Sequence, residues 1–182
     1  MKNSGRLLVP LETIDHAQDS DAAAITLVEY GDYECPYTGE AGPIVDQLLS
    51  RYRGKLRLVF RHFPLTDKHP RAWPAAEAAE AAGAQGRFWE MHRLLLVSQP
   101  RLGDEDLRDC ARQLYLDMVQ FQAALAQGVY AGRVKRDVQS GRQSGVDGTP
   151  TYFINGARHE GPDELTGLVT AIENILGHGV HG

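Results

Sequence analysis

A strand that runs directly into a helix, with a cysteine and a proline at the junction, constrains this chain more than any other feature. Ala24-Ile25-Thr26-Leu27-Val28-Glu29-Tyr30 is β-branched and apolar, and reads as a buried strand. Gly31 and Asp32 break that pattern, and from Pro36 onward Ile44, Val45, Leu48, Leu49 and Tyr52 recur at helical spacing. Pro36 suits a first-turn position, where a missing N–H leaves no bond unmade. Cys35 therefore falls at the N-terminal end of the helix, where unpaired N–H donors and the helix dipole stabilise a thiolate. Such a thiolate is a nucleophile. The plainer reading, a small buried hydrophobe, fits poorly with an exposed and electropositive turn.

The residue three places after Cys35 decides what that nucleophile can do. In a Cys-x-x-Cys pair the first sulfur attacks and the second resolves the mixed disulfide. Here the run is Glu34-Cys35-Pro36-Tyr37-Thr38, with threonine in the resolving position. No internal disulfide can close across this motif, so exchange at Cys35 needs a second molecule or a distant thiol to finish it. Thr38 lies one turn along, and its hydroxyl is expected to donate to the Cys35 sulfur; otherwise it is an ordinary first-turn residue.

Four separated blocks carry a resemblance. Asp32-Tyr33-Glu34-Cys35-Pro36-Tyr37 is followed by His69-Pro70-Arg71-Ala72 with its alanine-rich continuation to Ala82, by Phe88-Trp89-Glu90-Met91-His92, and by Gly148-Thr149-Pro150-Thr151-Tyr152-Phe153-Ile154-Asn155-Gly156. In this order they resemble the bacterial DsbA-like branch of the thioredoxin superfamily, from about Leu7 to Leu176. The resemblance implies an α/β thioredoxin fold with an inserted all-helical subdomain: fold halves at about 7–68 and 145–176, and an insertion at about 69–144, in one domain over 1–182. It implies a cis bond before Pro150, opposite the nucleophilic sulfur, leaving the Thr149 backbone to pair with an extended substrate. Without it, Gly148-Thr149-Pro150 reads as a plain strand entry. It also suggests that Glu29, six residues before Cys35, is a buried acid able to shuttle the thiol proton. A glutamate on a strand edge facing solvent is the equal alternative.

The remaining elements are read from pattern. Lys55 to Arg61 alternates as a second strand, parallel to the first if the resemblance holds. The alanine-rich run from Trp73 to about Val97 reads as one long helix. Gly103-Asp104 opens another, with Leu107, Cys110, Ala111 and Leu114 on one face, so that Cys110 packs as a core residue. Shorter helices are expected around Met118–Gln127 and Tyr130–Ser144. Thr151–Ile154, the Asn155-Gly156 turn and Ala157-Arg158-His159 form a hairpin, and Asp163 onward a closing helix with Leu165, Leu168, Val169, Ile172 and Ile175. His62, His69, His92 and His159 lack metal-ligand spacing and are read as loop or surface residues, and His178 and His181 as part of a disordered tail. Trp73, Phe88 and Trp89 are read as core or groove-lining aromatics.

Composition removes several function classes. The 182 residues carry a formal charge of −5 with scattered basic residues, which offers no footprint for nucleic acid. There is neither a membrane-length apolar run nor a glycine-rich phosphate loop. Met1-Lys2-Asn3-Ser4-Gly5-Arg6 leads into only a short apolar run before Glu12 and Asp15, without the apolar core of a secretory signal, so a cytoplasmic protein with free cysteines is expected.

These readings converge on a monothiol thiol–disulfide oxidoreductase in which Cys35 attacks a disulfide, Thr38 and Glu29 assist, and Pro36, Tyr37, Thr149 and Pro150 shape the substrate groove. No metal or tightly bound cofactor is expected, glutathione or a similar thiol serves as co-substrate, and the partner is a disulfide-containing protein or small-thiol disulfide. Two alternatives stay open. One is a glutathione transferase or isomerase of the same fold, and the other a redox-inactive peptide-binding or holdase module.

Overall fold

A computed structural model of the chain describes residues 5–160 and 164–178. Its centre is β2 (Ile25–Gly31), a strand paired along both edges and buried at six of its seven positions. Burial on both faces favours apolar residues such as Ile25, Leu27 and Val28 there. After β2 the chain turns into α1 (Pro36–Arg51) and returns as β3 (Leu56–His62), parallel to β2 with Ile25 opposite Leu56 and Gly31 opposite His62. On the other edge, β4 (Thr151–Ile154) runs antiparallel to β2 and is joined by a tight turn to β5 (Ala157–Arg158). A short strand, β1 (His16–Gln18), covers the outer edge of β3, giving the order β1-β3-β2-β4-β5. Three residues are too few for a periodic signal, and nothing in the sequence pattern marks β1.

Two faces of the sheet are covered differently. Ile25, Leu27, Leu56, Leu58, Tyr152 and Ile154 pack against Ala41, Val45, Leu48 and Leu49 of α1 and against Leu168 and Ile172 of α7 (Glu164–His178). The buried positions of α1 recur every three or four residues, as one helix face requires. On the opposite face Val28, Tyr30, Val59 and Phe153 pack on Val138 of α6 (Ala131–Gln143).

Between β3 and β4 lies a helical region: α2 (Ala72–Gly83), α3 (Phe88–Val97), α4 (Asp104–Gln113), α5 (Met118–Ala126) and α6. The long helix expected from Trp73 to Val97 is two helices. Alanine propensity favours continuing past residue 83, but Gly86 takes a left-handed φ of +75° and lets the Arg87 N–H bond back to the Ala82 carbonyl at 2.9 Å, closing α2. Small side chains along α2 leave room for its neighbours to approach, and Ala75, Ala78, Ala79 and Ala82 share one core with Met91, Leu95, Leu107 and Phe121. Cys110 sits in that core. Asp163 and His181 lie outside the described residues, as does the side chain of Leu165.

Candidate active site

The loop from β2 to α1 is built around a buried carboxylate. Asp32 is 1% exposed, and its Oδ1 accepts from the backbone N–H of Glu34 at 2.8 Å and of Cys35 at 3.2 Å. Its Oδ2 accepts from Leu65 N–H at 2.9 Å and pairs with Nδ1 of His69 at 2.8 Å. One side chain thus fastens the nucleophile's loop to the loop after β3. From the other side Gln99 reaches over, its Nε2 donating to the carbonyls of Tyr33 at 2.5 Å and Cys35 at 3.1 Å. Glu34 adds a third tie by accepting from Arg71 N–H at 2.6 Å.

Held in this way, Cys35 becomes the N-cap of α1 with extended backbone angles, and Pro36 opens the helix; at 4% exposure the cysteine is buried, not in the exposed turn that the sequence predicts. The thiol donates to the Thr149 carbonyl at 3.3 Å, and the Thr149–Pro150 peptide bond is cis. The Thr149 hydroxyl is buried with no partner among the described residues. Pro36 is exposed and Tyr37 is 69% exposed, so both stand at the mouth of the site, while Pro150 is buried behind it. Thr38 is fully buried, and its hydroxyl accepts from Asp32 N–H at 3.4 Å. The bond expected from the Thr38 hydroxyl to the sulfur is replaced by these two contacts, because the β4 approach brings a backbone carbonyl to the thiol.

Glu29 is buried at 3% exposure, which settles its position against the solvent-facing alternative. It stands opposite Phe60 on β3 and Tyr152 on β4, on the sheet face covered by α1. Burial, with the charge of Asp46 added, pushes its carboxyl up to about 8 against an opposing hydrogen bond from Tyr152. Cys35 and Glu29 share no contact among those described.

Two of the histidines read as surface residues are buried. His92 packs edge-on to Phe60 and Trp89 and pairs through Nδ1 with the Tyr33 hydroxyl at 3.0 Å. Burial and nearby cationic groups push it down to about 3, which leaves the ring neutral. His62 ends β3 inside the core, its Nε2 on Glu80 at 2.8 Å. Helical and strand periodicity place such rings inward, and the polar name of the residue conceals it. Asp32, His69 and Gln99 are site residues that sequence reasoning did not single out. An aspartate three places before a helix-capping residue is an Asx-turn signal that could have found the first.

Cys110 lies in the helical core on α4 rather than at the β2–α1 junction. It is 3% exposed, its Sγ lies 3.8 Å from Ser98 Oγ, and burial with the charges of Asp106 and Asp109 pushes its thiol up. Both cysteines are free, and among the described residues no cluster of three or more His, Cys, Asp or Glu is placed to hold a metal.

A family model described as thioredoxin matches residues 14–174. The chain belongs to the thioredoxin family. Its fold is similar to that of oxidised BdbD from Bacillus subtilis, with a TM-score of 0.79 at 22% identity over 88% of this chain and 92% of that one. A thioredoxin-like oxidoreductase from Silicibacter pomeroyi DSS-3 gives a TM-score of 0.79 at 25% identity over 91% of this chain and 94% of that one. α-DsbA1 from Wolbachia pipientis gives 0.79 at 21% over 96% of each. This thioredoxin-family chain therefore has the DsbA-like architecture, a thioredoxin fold with an inserted helical region. By sequence it is 49% identical over 167 residues to a part of the Na(+)/H(+) antiporter NhaA 3 of Salinispora tropica, covering 91% of this chain. With NhaA 1 of Mycobacterium sp. strain KMS the identity is 40% over 163 residues, covering 87% of this chain. The chain spans 26% of the length of each of these two relatives.

Proposed function

We propose that this chain is a monothiol thiol–disulfide oxidoreductase acting through a mixed disulfide at Cys35. The observation that carries the reading is the pairing of Cys35, held at a helix N-terminus against the Thr149 carbonyl, with a fully buried threonine where a resolving cysteine would stand. The sulfur attacks a disulfide, one half of which leaves as a thiol, and the Cys35 mixed disulfide remains. Since Cys110 is sealed in the helical core, a free thiol such as glutathione completes the cycle. Tyr37 and Thr149 offer a face and a backbone to the substrate, and an extended segment can add to the Thr149 strand entry. Glu29, raised into the neutral range, supplies a group able to exchange a proton below the site. We place the reaction in the reducing cytoplasm, with no tightly bound cofactor.

Mass spectrometry of the protein before and after oxidised glutathione tests this. One glutathione adduct is expected, mapped to Cys35, removed by added thiol and absent from Cys35→Ser. A Cys35 that stays unmodified under conditions that modify free glutathione would end the redox reading. Retention of peptide binding by Cys35→Ser would then favour the holdase, and turnover of an electrophile with glutathione the transferase.

The sequence relatives favour a second, compatible proposal about the partner. They are named Na(+)/H(+) antiporters and match this chain over about a quarter of their length. No helix of the described residues is long and apolar enough to cross a membrane. We propose that this domain works beside an antiporter of that kind. Co-purification from membranes with such an antiporter is the expected result, and its absence under native extraction would leave the domain to independent substrates.

A further inference from the structure

A carboxylate inside the nucleophile's own loop is an electrostatic liability. Asp32 Oδ1 lies 3.2 Å from the Cys35 nitrogen and the side chain is out of contact with water, so little solvent screens it from negative charge on the sulfur. A buried carboxylate in the same loop would oppose negative charge on the sulfur, against what the helix N-terminus favours. The structure shows what can offset it. Among the described residues the ionisable partner of Asp32 is His69, whose Nδ1 meets Oδ2 at 2.8 Å while the ring keeps 19% of its side-chain exposure. The carboxylate therefore has the Cys35 N–H on one oxygen and the imidazole on the other. Contact with Asp32 leaves Nε2 turned away from the carboxylate, and the ring can exchange protons with solvent.

We propose that His69 is a positioning residue acting on Cys35 through Asp32, its cationic form cancelling the buried carboxylate and keeping the sulfur nucleophilic, its neutral form leaving that charge unmatched. The inference rests on Cys35 being the reacting group and goes further by naming what regulates it. The remaining charges near His69 lie in water and act weakly. Asp67 and Lys68 of its own loop and Arg71 before α2 are exposed, and Glu34, half-buried, is engaged with the Arg71 N–H. The result is a setting of nucleophilicity that follows the charge on His69.

A purely structural role and an electrostatic one predict different signs. If Asp32 and His69 only brace the loop, removing either loosens it, and both variants shift in one direction. If charge decides, His69→Ala slows Cys35 and Asp32→Asn speeds it, while the double variant behaves as Asp32→Asn does because no carboxylate remains to be offset. The experiment is the rate of Cys35 alkylation by iodoacetamide from about pH 5 to 9, in a Cys110→Ala background with folding checked by near-ultraviolet circular dichroism. Alkylation requires no disulfide, so its outcome is separate from that of the glutathione test. We expect His69→Ala to lower the rate about three-fold or more near pH 6, and His69→Lys, permanently charged, to keep the fast rate into the alkaline limb. If Asp32→Asn fails to fold, the comparison of His69→Ala with His69→Lys decides. Equal rates for those two variants, or single variants of Asp32 and His69 shifting together and adding in the double, would overturn the proposal.

Discussion

The Cys35 thiol donates to the Thr149 carbonyl at 3.3 Å, tying the first turn of α1 to the residue two places before β4. In the resting site the sulfur's own proton thus occupies the acceptor that an incoming strand would use. Ionisation or capture of the sulfur removes that donor and frees the carbonyl for a substrate N–H. The S–H stretching band of Cys35, assigned by difference with Cys35→Ser, is expected to be shifted to the frequency of a hydrogen-bonded thiol and to vanish on alkylation. A band at the frequency of a free thiol would contradict the contact.

Thr38→Cys should create the missing half of a dithiol centre. Residues three apart on a helix have Cβ atoms about 5–6 Å apart, and modest local adjustment brings two sulfurs into bonding range. The hydroxyl's bond from Asp32 N–H is long, at 3.4 Å, so its loss should cost little. The variant is expected to reduce insulin or oxidise dithiols, and the natural protein to do so at least about ten-fold more slowly. Equal activity in the two would mean that Cys110 reaches the site and that the monothiol reading is wrong.

Glu80 anchors the insertion to the sheet. Its Oε1 lies 2.9 Å from His16 Nε2 and 2.8 Å from His62 Nε2, joining α2 to β1 and β3. Burial raises its carboxyl, but the hydrogen bonds and charge of the two histidines outweigh burial and hold it well below the usual carboxylate range. With the folded value depressed, the stabilisation is present above the unfolded value near 4.5 and is lost as pH falls below it. Glu80→Ala should cost about 3–5 kcal/mol at neutral pH, and less as the medium is acidified. Urea denaturation at both ends of that range measures the difference, and a cost that does not change with pH would refute the assignment.

How much of this was legible in the sequence depends on what each residue answers to. Strand β2, helix α1 and the cysteine between them could be read because period and punctuation are local: β-branched runs, a proline at N1, apolar positions every three or four residues. The break between α2 and α3 was hidden because Gly86 works through a backbone angle, whereas the alanines around it speak only of propensity. Glu29 could not be placed, since a strand buried on both faces loses its alternation. The site's supports were harder still. Gln99 lies 64 residues from Cys35 in the chain, and only the folded insertion brings its amide to the loop. For His62 and His92, residue type points to the surface, while their positions on β3 and α3 decide burial.

Gly31 is the residue that the close packing beneath the site cannot enlarge. A Cβ at this position would meet the Phe60 ring, with Cζ at 2.8 Å, and the Thr38 methyl at 3.2 Å. Phe60 is fully buried and packs against the rings of Tyr33, Phe88 and His92, so it has nowhere to swing. Gly31→Ala should destabilise by about 1–3 kcal/mol and push the Cys35 loop away from Thr149. Chemical denaturation gives the first quantity and the Cys35 alkylation rate reports the second. Unchanged stability would show that the sheet and α1 can separate there.

Glu29 gives the fold a pH dependence that is opposite in sign to that of Glu80. Its carboxyl is pushed up to about 8 by burial first and by Asp46 second, from an ordinary value of 4.5. Between those values the folded chain keeps a proton that the unfolded chain has released, so stability is full below 4.5 and falls as pH rises towards 8. At pH 7 the loss is on the order of 3 kcal/mol. Glu29→Gln keeps a similar shape and a group able to hydrogen-bond with Tyr152, but has no proton to lose. The variant should therefore hold its stability across that interval while the natural protein declines, and the two should converge below the unfolded value. Thermal melts at closely spaced pH values give both curves. Parallel curves would mean that Glu29 is ionised and solvated in the folded protein, and would remove it from the proposed proton exchange.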